Sequence, residues 1–471
     1  MAAPQRRAHA ARRMNILILG AGQVGTSVAS ALARENNDIT VVDTDAEKLR
    51  ELSEKIDLQV VQGFAAHPSV LARAGAEDAD VLVAVTSSDE VNMIACEVAA
   101  TLYRTPMKVA RVRSLEYLKH PELFGRGHVS IDHLISPSQR VCEYIERLIE
   151  YPGALQVLDF AGGRAQLLGM RADSDGALVG HQIRDLNMHL PAGSAVRIAA
   201  IFRNKRSVPA EGDTVIELGD EVFFLADKKS IRAMMAEFHR IERPARRIML
   251  AGGGNIGLDL AKQLEARYNV KVIERGRERA RAIAESLENA IVLSGDCADE
   301  DLLREENIDQ TDVFCALTND DEANILSAML AKRLGARRVI SLINRPAYAD
   351  LVESGTIDTA VSPQQITLGA LLSYVRQGNL VRVHSLRGGA VEALEAVAVG
   401  NAGSSKIIGR ALQQIAFPKG ASIVGIVRGD RVLAAHHDTV IEADDHVIVF
   451  ITDKRDLRKV ELLFRAGAAS L

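Results

Sequence analysis

No apolar run in this chain approaches the roughly 18–20 residues that a bilayer-spanning helix needs, so alone it is expected neither to conduct nor to transport. No CxxC spacing is present. Cys96, Cys142, Cys297 and Cys315 are scattered through apolar segments, which argues against a zinc or disulfide framework and for buried, reduced thiols of a cytosolic protein. No surplus of positive charge exists either: 57 Lys and Arg against 62 Asp and Glu give a formal charge of −5 and no global footprint for nucleic acid. Residues 1–13 are basic and Ala-rich but lack an apolar centre, so they fail as a signal peptide. They are expected to be a disordered extension, with structure beginning near Met14.

What the chain does have is itself, twice. Its 471 residues predict roughly three or four domains. Ile16–Gly25 (ILILGAGQVG) returns as Ile248–Gly257 (IMLAGGGNIG), and Val85–Asn92 returns as Leu317–Asn324, both at an offset of 232. Ile131–Pro137 returns as Ile357–Pro363, and Asp213–Ile216 as Asp438–Ile441. Several matches kept in order over two hundred residues mean a tandem duplication of a unit far longer than a solenoid repeat. Each copy is therefore expected to fold as its own module.

Within the first copy, short Val/Ile-rich runs at Asn15–Leu19, Ile39–Val42, Gln59–Gln62, Val81–Val85 and Val109–Val112 alternate with helical stretches such as Val24–Arg34 and Asp45–Lys55. The second copy repeats them at Arg247–Leu250, Val270–Ile273, Ala290–Leu293, Val313–Leu317 and Val339–Ile343. Near-continuous apolar strands alternating with helices predict an α/β fold with a doubly wound parallel sheet in each copy. A helix follows each sheet. Ser136-Pro137-Ser138-Gln139 and Ser362-Pro363-Gln364-Gln365 read as capping boxes with proline at the first helical position, and Gly153 and Gly378 as stops. These helices leave a sheet that is already complete, so they are expected to pack partly across to a sister lobe. A small β-rich module closes each copy, with period-two alternation expected in Glu221–Leu225 and His446–Phe450. The predicted layout is a Rossmann-like lobe at 14–135, a connecting helix at 136–153 and a small α+β lobe at 154–240. The same three parts follow at 245–361, 362–378 and 383–468.

Gly20-Ala21-Gly22-Gln23-Val24-Gly25 follows a strand and opens a helix, which is the context a dinucleotide fingerprint requires. Gly20 permits the tight turn, Gly22 lets a pyrophosphate approach the backbone, and Gly25 allows close helix–strand packing. The helix start offers free N–H groups and positive dipole charge to phosphates. Asp43 ends the second strand, where an acid holds ribose hydroxyls. Gly252, Gly253, Gly254, Asn255, Ile256 and Gly257 repeat the arrangement, with Glu274 as the acid. An acid there disfavours a 2′-phosphate and so NADP, but leaves NAD, ATP and ADP open. Thr86 and Ser87, and Thr318 and Asn319, sit just past the fourth strand among the ligand-facing loops. Asp296 follows the third strand of the second copy, where the first has Gly63-Phe64 and no acid. Arg111 and Arg113 in the first copy face Leu342 and Asn344 in the second, so the two sites should differ in charge. For Arg111 the competing reading is a surface ion pair. Asp89 and Asp321 are expected to be solvated acids at helix starts.

In these motifs and in ITVVD, HPSVL, AGAEDAD, GDCAD, LTNDDEAN and VRGD, the chain from 14 to 468 resembles the peripheral subunits of bacterial Trk potassium uptake systems. That family carries a double version of the domain pair that regulates potassium conductance (RCK). The resemblance implies a non-enzymatic regulator, cytoplasmic and peripheral at the inner face of the membrane. It further implies a homo-oligomer, a tetramer, docked beneath a TrkH-like potassium-translocating subunit and controlled by NAD(H), ATP or ADP. By position, the family's first-site residues fall on Gly20–Val24, Asp43, Thr86, Ser87 and Arg111. Phe64-Ala65-Ala66 departs from the acidic step related lobes carry after Gly63. The rival readings are an NAD-dependent oxidoreductase and a redox or energy sensor of another membrane protein. The first needs an acid or base beside the nicotinamide and a substrate domain. Four repeated modules consume the chain, its histidines form no duplicated constellation, and His133 reads as structural.

Overall fold

The computed structural model describes residues 13–464 except 36, 125–126, 192, 239–242, 346–347, 349–355, 377–378 and 387–390. Residues 1–12 of the expected extension and the helix stop at Gly378 lie outside the described residues, whereas Arg13 is placed with its guanidinium 3.3 Å from Asp38.

Two parallel sheets form as predicted from the alternating pattern. The first runs β1 (Asn15–Leu19), β2 (Asp38–Asp43), β3 (Gln59–Gln62), β4 (Val81–Ala84), β5 (Met107–Arg111) and β6 (His133–Ile135), in the spatial order β3-β2-β1-β4-β5-β6. A small sheet follows: β7 (Ala154–Phe160), β8 (Ala165–Arg171), β9 (Val196–Arg203), β10 (Arg206–Val208) and β11 (Glu221–Asp227), antiparallel throughout. The second parallel sheet uses β12 (Arg247–Ala251), β13 (Asn269–Glu274), β14 (Ile291–Ser294), β15 (Val313–Ala316), β16 (Arg338–Leu342) and β17 (Thr359–Val361), in the equivalent order. The last antiparallel sheet holds β18 (Leu380–Leu386), β19 (Val391–Val397), β20 (Ala421–Arg428), β21 (Arg431–Ala434) and β22 (His446–Ile451).

Five strands per parallel sheet were expected and six are present. The sixth is only three residues long in each copy, too short for periodicity to reveal, although both examples lie inside a repeated segment. In the order 3-2-1-4-5-6, β1 and β4 flank the point where the winding reverses. There the carboxyl ends of the strands open a crevice.

The chain divides into two compact units. One comprises residues up to Pro137 together with Ala370–Val375; the other comprises Ser138–Gly369 with Arg376–Leu471. The expectation that each copy folds as its own module is therefore corrected. In the larger unit the first connecting helix, Pro137–Glu150, buries Val141, Cys142, Ile145 and Leu148 in one core with Ile248, Leu250, Leu260 and Leu264 of the second parallel lobe. Both small sheets also share a core: Phe160, Leu167, Phe223 and Leu225 pack with Ala393, Val424, Ile448 and Phe450. Glu395 accepts the backbone N–H of Ala161 across this contact at 2.9 Å. In the smaller unit Tyr374, from the end of the second connecting helix, stacks on His133 with ring centroids 4.0 Å apart. An apolar face left over by a finished sheet lowers its free energy by finding any complementary surface, and the duplicate supplies one.

That shared core also overturns the alternation expected in the small sheets. Val222–Ala226 and Val447–Ile451 are buried at every position, because these strands are covered on both faces. One capping box is incomplete too. Ser362 Oγ accepts the N–H of Gln365 at 3.4 Å, but the Gln365 Oε1 is buried without a partner, so the return bond is absent.

Candidate functional site

The glycine turn after β1 shows why three glycines are spaced as they are. Gly20 adopts φ +107°, and a Cβ there would come within 3.0 Å of the Thr86 backbone. At Gly25 a Cβ would stand 1.8 Å from the Gly20 carbonyl oxygen, so the first fingerprint helix, Gln23–Ala33, can lie against β1 only because that atom is missing. Around Gly22 nothing lies within 4 Å of a Cβ position: its lack of a side chain leaves open space rather than relieving a clash. Gly22 is also the helix N-cap and provides no side-chain cap. The first-turn N–H groups therefore have no side-chain acceptor of that kind and keep their dipole charge for an anion.

These groups line a cavity of about 510 Å³ with Asp43, Lys48, Phe64, Thr86, Ser87 and Arg111 among its walls. Asp43 Oδ2 accepts from the Ala21 N–H at 2.6 Å and Oδ1 from the Asp45 N–H at 2.9 Å, which fixes the carboxylate between the turn and the next helix. Phe64, where an acid is lacking, is exposed and lies against His67. Arg111 ends β5, and its Nη2 donates to the Thr86 carbonyl at 2.7 Å. The competing surface ion pair does not form among the described residues, and its Nε is buried without a partner. Burial, with repulsion from Arg113, lowers the Arg111 pKa to about 10. The lining thus includes a desolvated cation, Arg111, and a carboxylate fixed by the glycine turn, Asp43.

The second lobe reproduces the frame. Gly252 has φ +110°, a Cβ on Gly257 would meet the Gly252 oxygen at 1.9 Å, and Gly254 is open and caps the helix Asn255–Leu264 without a side chain. Glu274 accepts from the N–H of Gly253 at 2.9 Å and of Gly276 at 2.8 Å. Ile256 stands in the first turn of that helix, and Asn319 is exposed beside Thr318. Asp296 sits two residues beyond β14, where its carboxylate accepts the Ala298 N–H at 2.9 Å, a turn-closing bond.

Two residues that sequence reasoning left unassigned organise both sites. Asn92 is fully buried. Its Oδ1 accepts from Thr86 N at 2.9 Å and Thr86 Oγ1 at 2.7 Å, while Nδ2 donates to the Arg111 carbonyl at 2.9 Å. Asn324 does the same for Thr318, at 2.8 and 2.7 Å, and reaches the Leu342 carbonyl at 3.1 Å. Each asparagine thereby ties the loop after the fourth strand to the end of the fifth. The signal was present, since both end a repeated segment. Asp89 and Asp321, expected to be solvated, are instead buried. Asp89 accepts from the N–H of Arg113 and of Ser114 at 2.8 Å, and Asp321 from those of Asn344 and Arg345. Ser88 and Asp320 supply the caps. All four cysteines are buried and unbridged.

A doubly wound sheet with an uncapped glycine turn and a fixed acid, made twice and each time followed by a small antiparallel sheet, defines a tandem protein built from two Rossmann-like lobes of the nucleotide-binding class. The TrkA-N domain model matches residues 16–137 and 248–363, and the TrkA-C domain model residues 167–239 and 396–465. The Trk system potassium uptake protein TrkA of Halomonas elongata is 55% identical over 454 residues, 96% of this chain and 99% of the relative. Its counterpart from Vibrio alginolyticus is 56% identical over 453 residues, with the same coverage of both chains. The chain belongs to the TrkA family. Among solved structures, the GsuK RCK domain aligns at a TM-score of 0.59 and 18% identity over 98% of each chain. The GsuK channel bound to NAD aligns at 0.60 and 17% identity over 98% of this chain and 81% of that one. Both share the fold.

Proposed function

We propose that the chain is a nucleotide-responsive regulatory subunit of a Trk-type potassium uptake system and not an enzyme. Each parallel lobe takes an adenine nucleotide, NAD(H), ATP or ADP, with phosphates at the uncapped helix start and ribose hydroxyls on Asp43 or Glu274. Gly20–Gly25, Thr86, Ser87 and Arg111 line the first site; Gly252–Gly257, Thr318, Asn319 and Asp296 surround the second. Family membership supports the partner, a TrkH-like membrane subunit, and a peripheral position at the inner face of the membrane as a homotetramer. Among the described residues no helix is long and apolar enough to cross a membrane, so potassium passage is assigned to the partner.

The observation that carries this reading is the open Gly22 cap and the fixed Asp43 lining one cavity. Control follows from linkage. A nucleotide with different affinity for two arrangements of the lobes shifts their populations, and a coupling of about 1–3 kcal/mol changes partner activity roughly 5–150-fold. The proposed domain layout, 14–135, 136–153 and 154–240 followed by 245–361, 362–378 and 383–468, supplies the movable parts. The test is calorimetric titration of NADH, NAD, ATP and ADP into the full chain and into Gly22→Leu and Gly254→Leu variants. Saturable binding lost one site at a time supports the reading; no binding of any of the four overturns it.

A further inference from the structure

The two sites carry opposite charge beside the acid that ends the second strand. In the first lobe Asp43 is followed by Thr44, Asp45 and Ala46, and Lys48 is paired with Asp45 at 3.3 Å. In the second lobe Glu274 is followed by Arg275, Gly276 and Arg277, and Arg279 stands where the first has Lys48. Side chains 43–50 sum to a charge of −1, whereas 274–281 sum to +2. Arg275, Arg277 and Arg279 are all exposed, and among the described residues no carboxylate lies within ion-pair distance of any of them.

The placement of Arg279 is not that of a solvated helix face alone. Arg279 Nε donates to the Gly253 carbonyl at 3.1 Å, which draws its guanidinium back over the glycine turn. Glu274 is meanwhile tied through both oxygens to the N–H groups of Gly253 and Gly276. The helix cap has changed in the same sense. Asp45, which accepts from Glu47 N and Lys48 N, is replaced by Gly276, which has no side chain to offer. Three unneutralised guanidinium groups repel one another and stabilise any anion that sits among them. In a Rossmann lobe the place beside this acid belongs to the ribose 2′ position, and an arginine there accommodates a 2′-phosphate.

We propose that the second lobe takes a nucleotide bearing a phosphate on its adenosine ribose, NADP(H) in preference to NAD(H), while the first takes the unphosphorylated ribose. An acid alone excludes the 2′-phosphate, which was the expectation for both lobes; the arginines reverse it in the second only. This inference rests on reading the glycine turns as nucleotide sites.

The test uses the full chain carrying Gly22→Leu, so that only the second site is open, titrated with NADPH and NADH and with 2′,5′-ADP and ADP. Each 2′-phosphorylated ligand should bind roughly tenfold tighter than its counterpart, and the difference should shrink as salt rises. An Arg275→Gln, Arg277→Gln double variant, altered only at exposed positions, should lose that preference and keep NADH affinity within about twofold. Equal binding of the paired ligands, or a preference that survives the double variant, overturns the inference. Failure of all four to bind, with ATP also silent, overturns the nucleotide reading of the second lobe, on which this inference rests.

Discussion

The Sγ of Cys142 donates to the carbonyl oxygen of Ile256 at 3.4 Å, joining the helix that follows the first parallel sheet to the fingerprint helix of the second lobe. Arg267, just beyond that fingerprint helix, bonds Glu146 of the connecting helix. Arg338 of β16 donates to the carbonyls of Leu148, at 2.6 Å, of Tyr151 just past the connecting helix, and of Ala154, which opens β7. The second glycine turn and its helix are therefore tied to a helix that is continuous in sequence with the first lobe.

Arg338→Met should destabilise the larger unit by about 3 kcal/mol or more, since carbonyls that the guanidinium satisfies would be left buried without donors. Chemical denaturation monitored by circular dichroism reads the change. A loss below about 0.5 kcal/mol would mean that water or a neighbour replaces the arginine.

The three fingerprint glycines should separate by role. Gly25→Ala forces a Cβ to 1.8 Å from the Gly20 oxygen and should unfold or severely destabilise the first lobe. Gly22→Ala meets open space at an ordinary φ of −74° and should cost no more than about 1 kcal/mol. Thermal unfolding of the two variants side by side decides this, and equal losses would contradict the geometry.

Asn92→Ala should weaken nucleotide binding at the first site and also cost about 2–3 kcal/mol, because Thr86 and the Arg111 carbonyl lose their buried partner together. Asn324→Ala should act in the same way on the second site. Calorimetry on each variant, with the other site as internal control, shows whether the effect stays in its own lobe.

Acid should loosen the shared core of the small sheets. Burial, with Arg382 and Arg140 nearby, lowers the His384 pKa to about 4 from an ordinary 6.5, despite the opposing effect of Asp159, and its Nε2 is buried without a partner. The unfolded chain then binds the proton that the folded chain refuses. Stability is full above about pH 6.5 and falls as the pH drops toward 4. His384→Asn should flatten that slope in thermal melts taken between those values; an unchanged slope would place the titrating group elsewhere.

Much of this protein was legible before folding. Local chemistry suffices for a glycine turn that needs φ +107° at Gly20, for apolar runs such as Ile16–Leu19, and for an acid at the end of β2, because backbone sterics and strand burial act over a few residues. The duplication exposed the rest of the frame, since two copies of one pattern outweigh the ambiguity of either. The three-residue β6 and β17 left no periodicity to read. Asp89 looked like a solvated helix-start acid and Asn92 was left unassigned, and only contact with the end of the fifth strand turned them into buried ties.

Sequence by itself determined the two Rossmann-like lobes, their glycine turns and their acids, because those features depend on neighbours along the chain. Tertiary structure alone decided which surfaces the two copies share: the first connecting helix in the core of the second lobe, the two small sheets face to face, and Tyr374 on His133. Hydrophobic burial is non-directional, so an apolar stripe states that it must be covered without stating by what. Its partner is chosen only when the whole chain is in place.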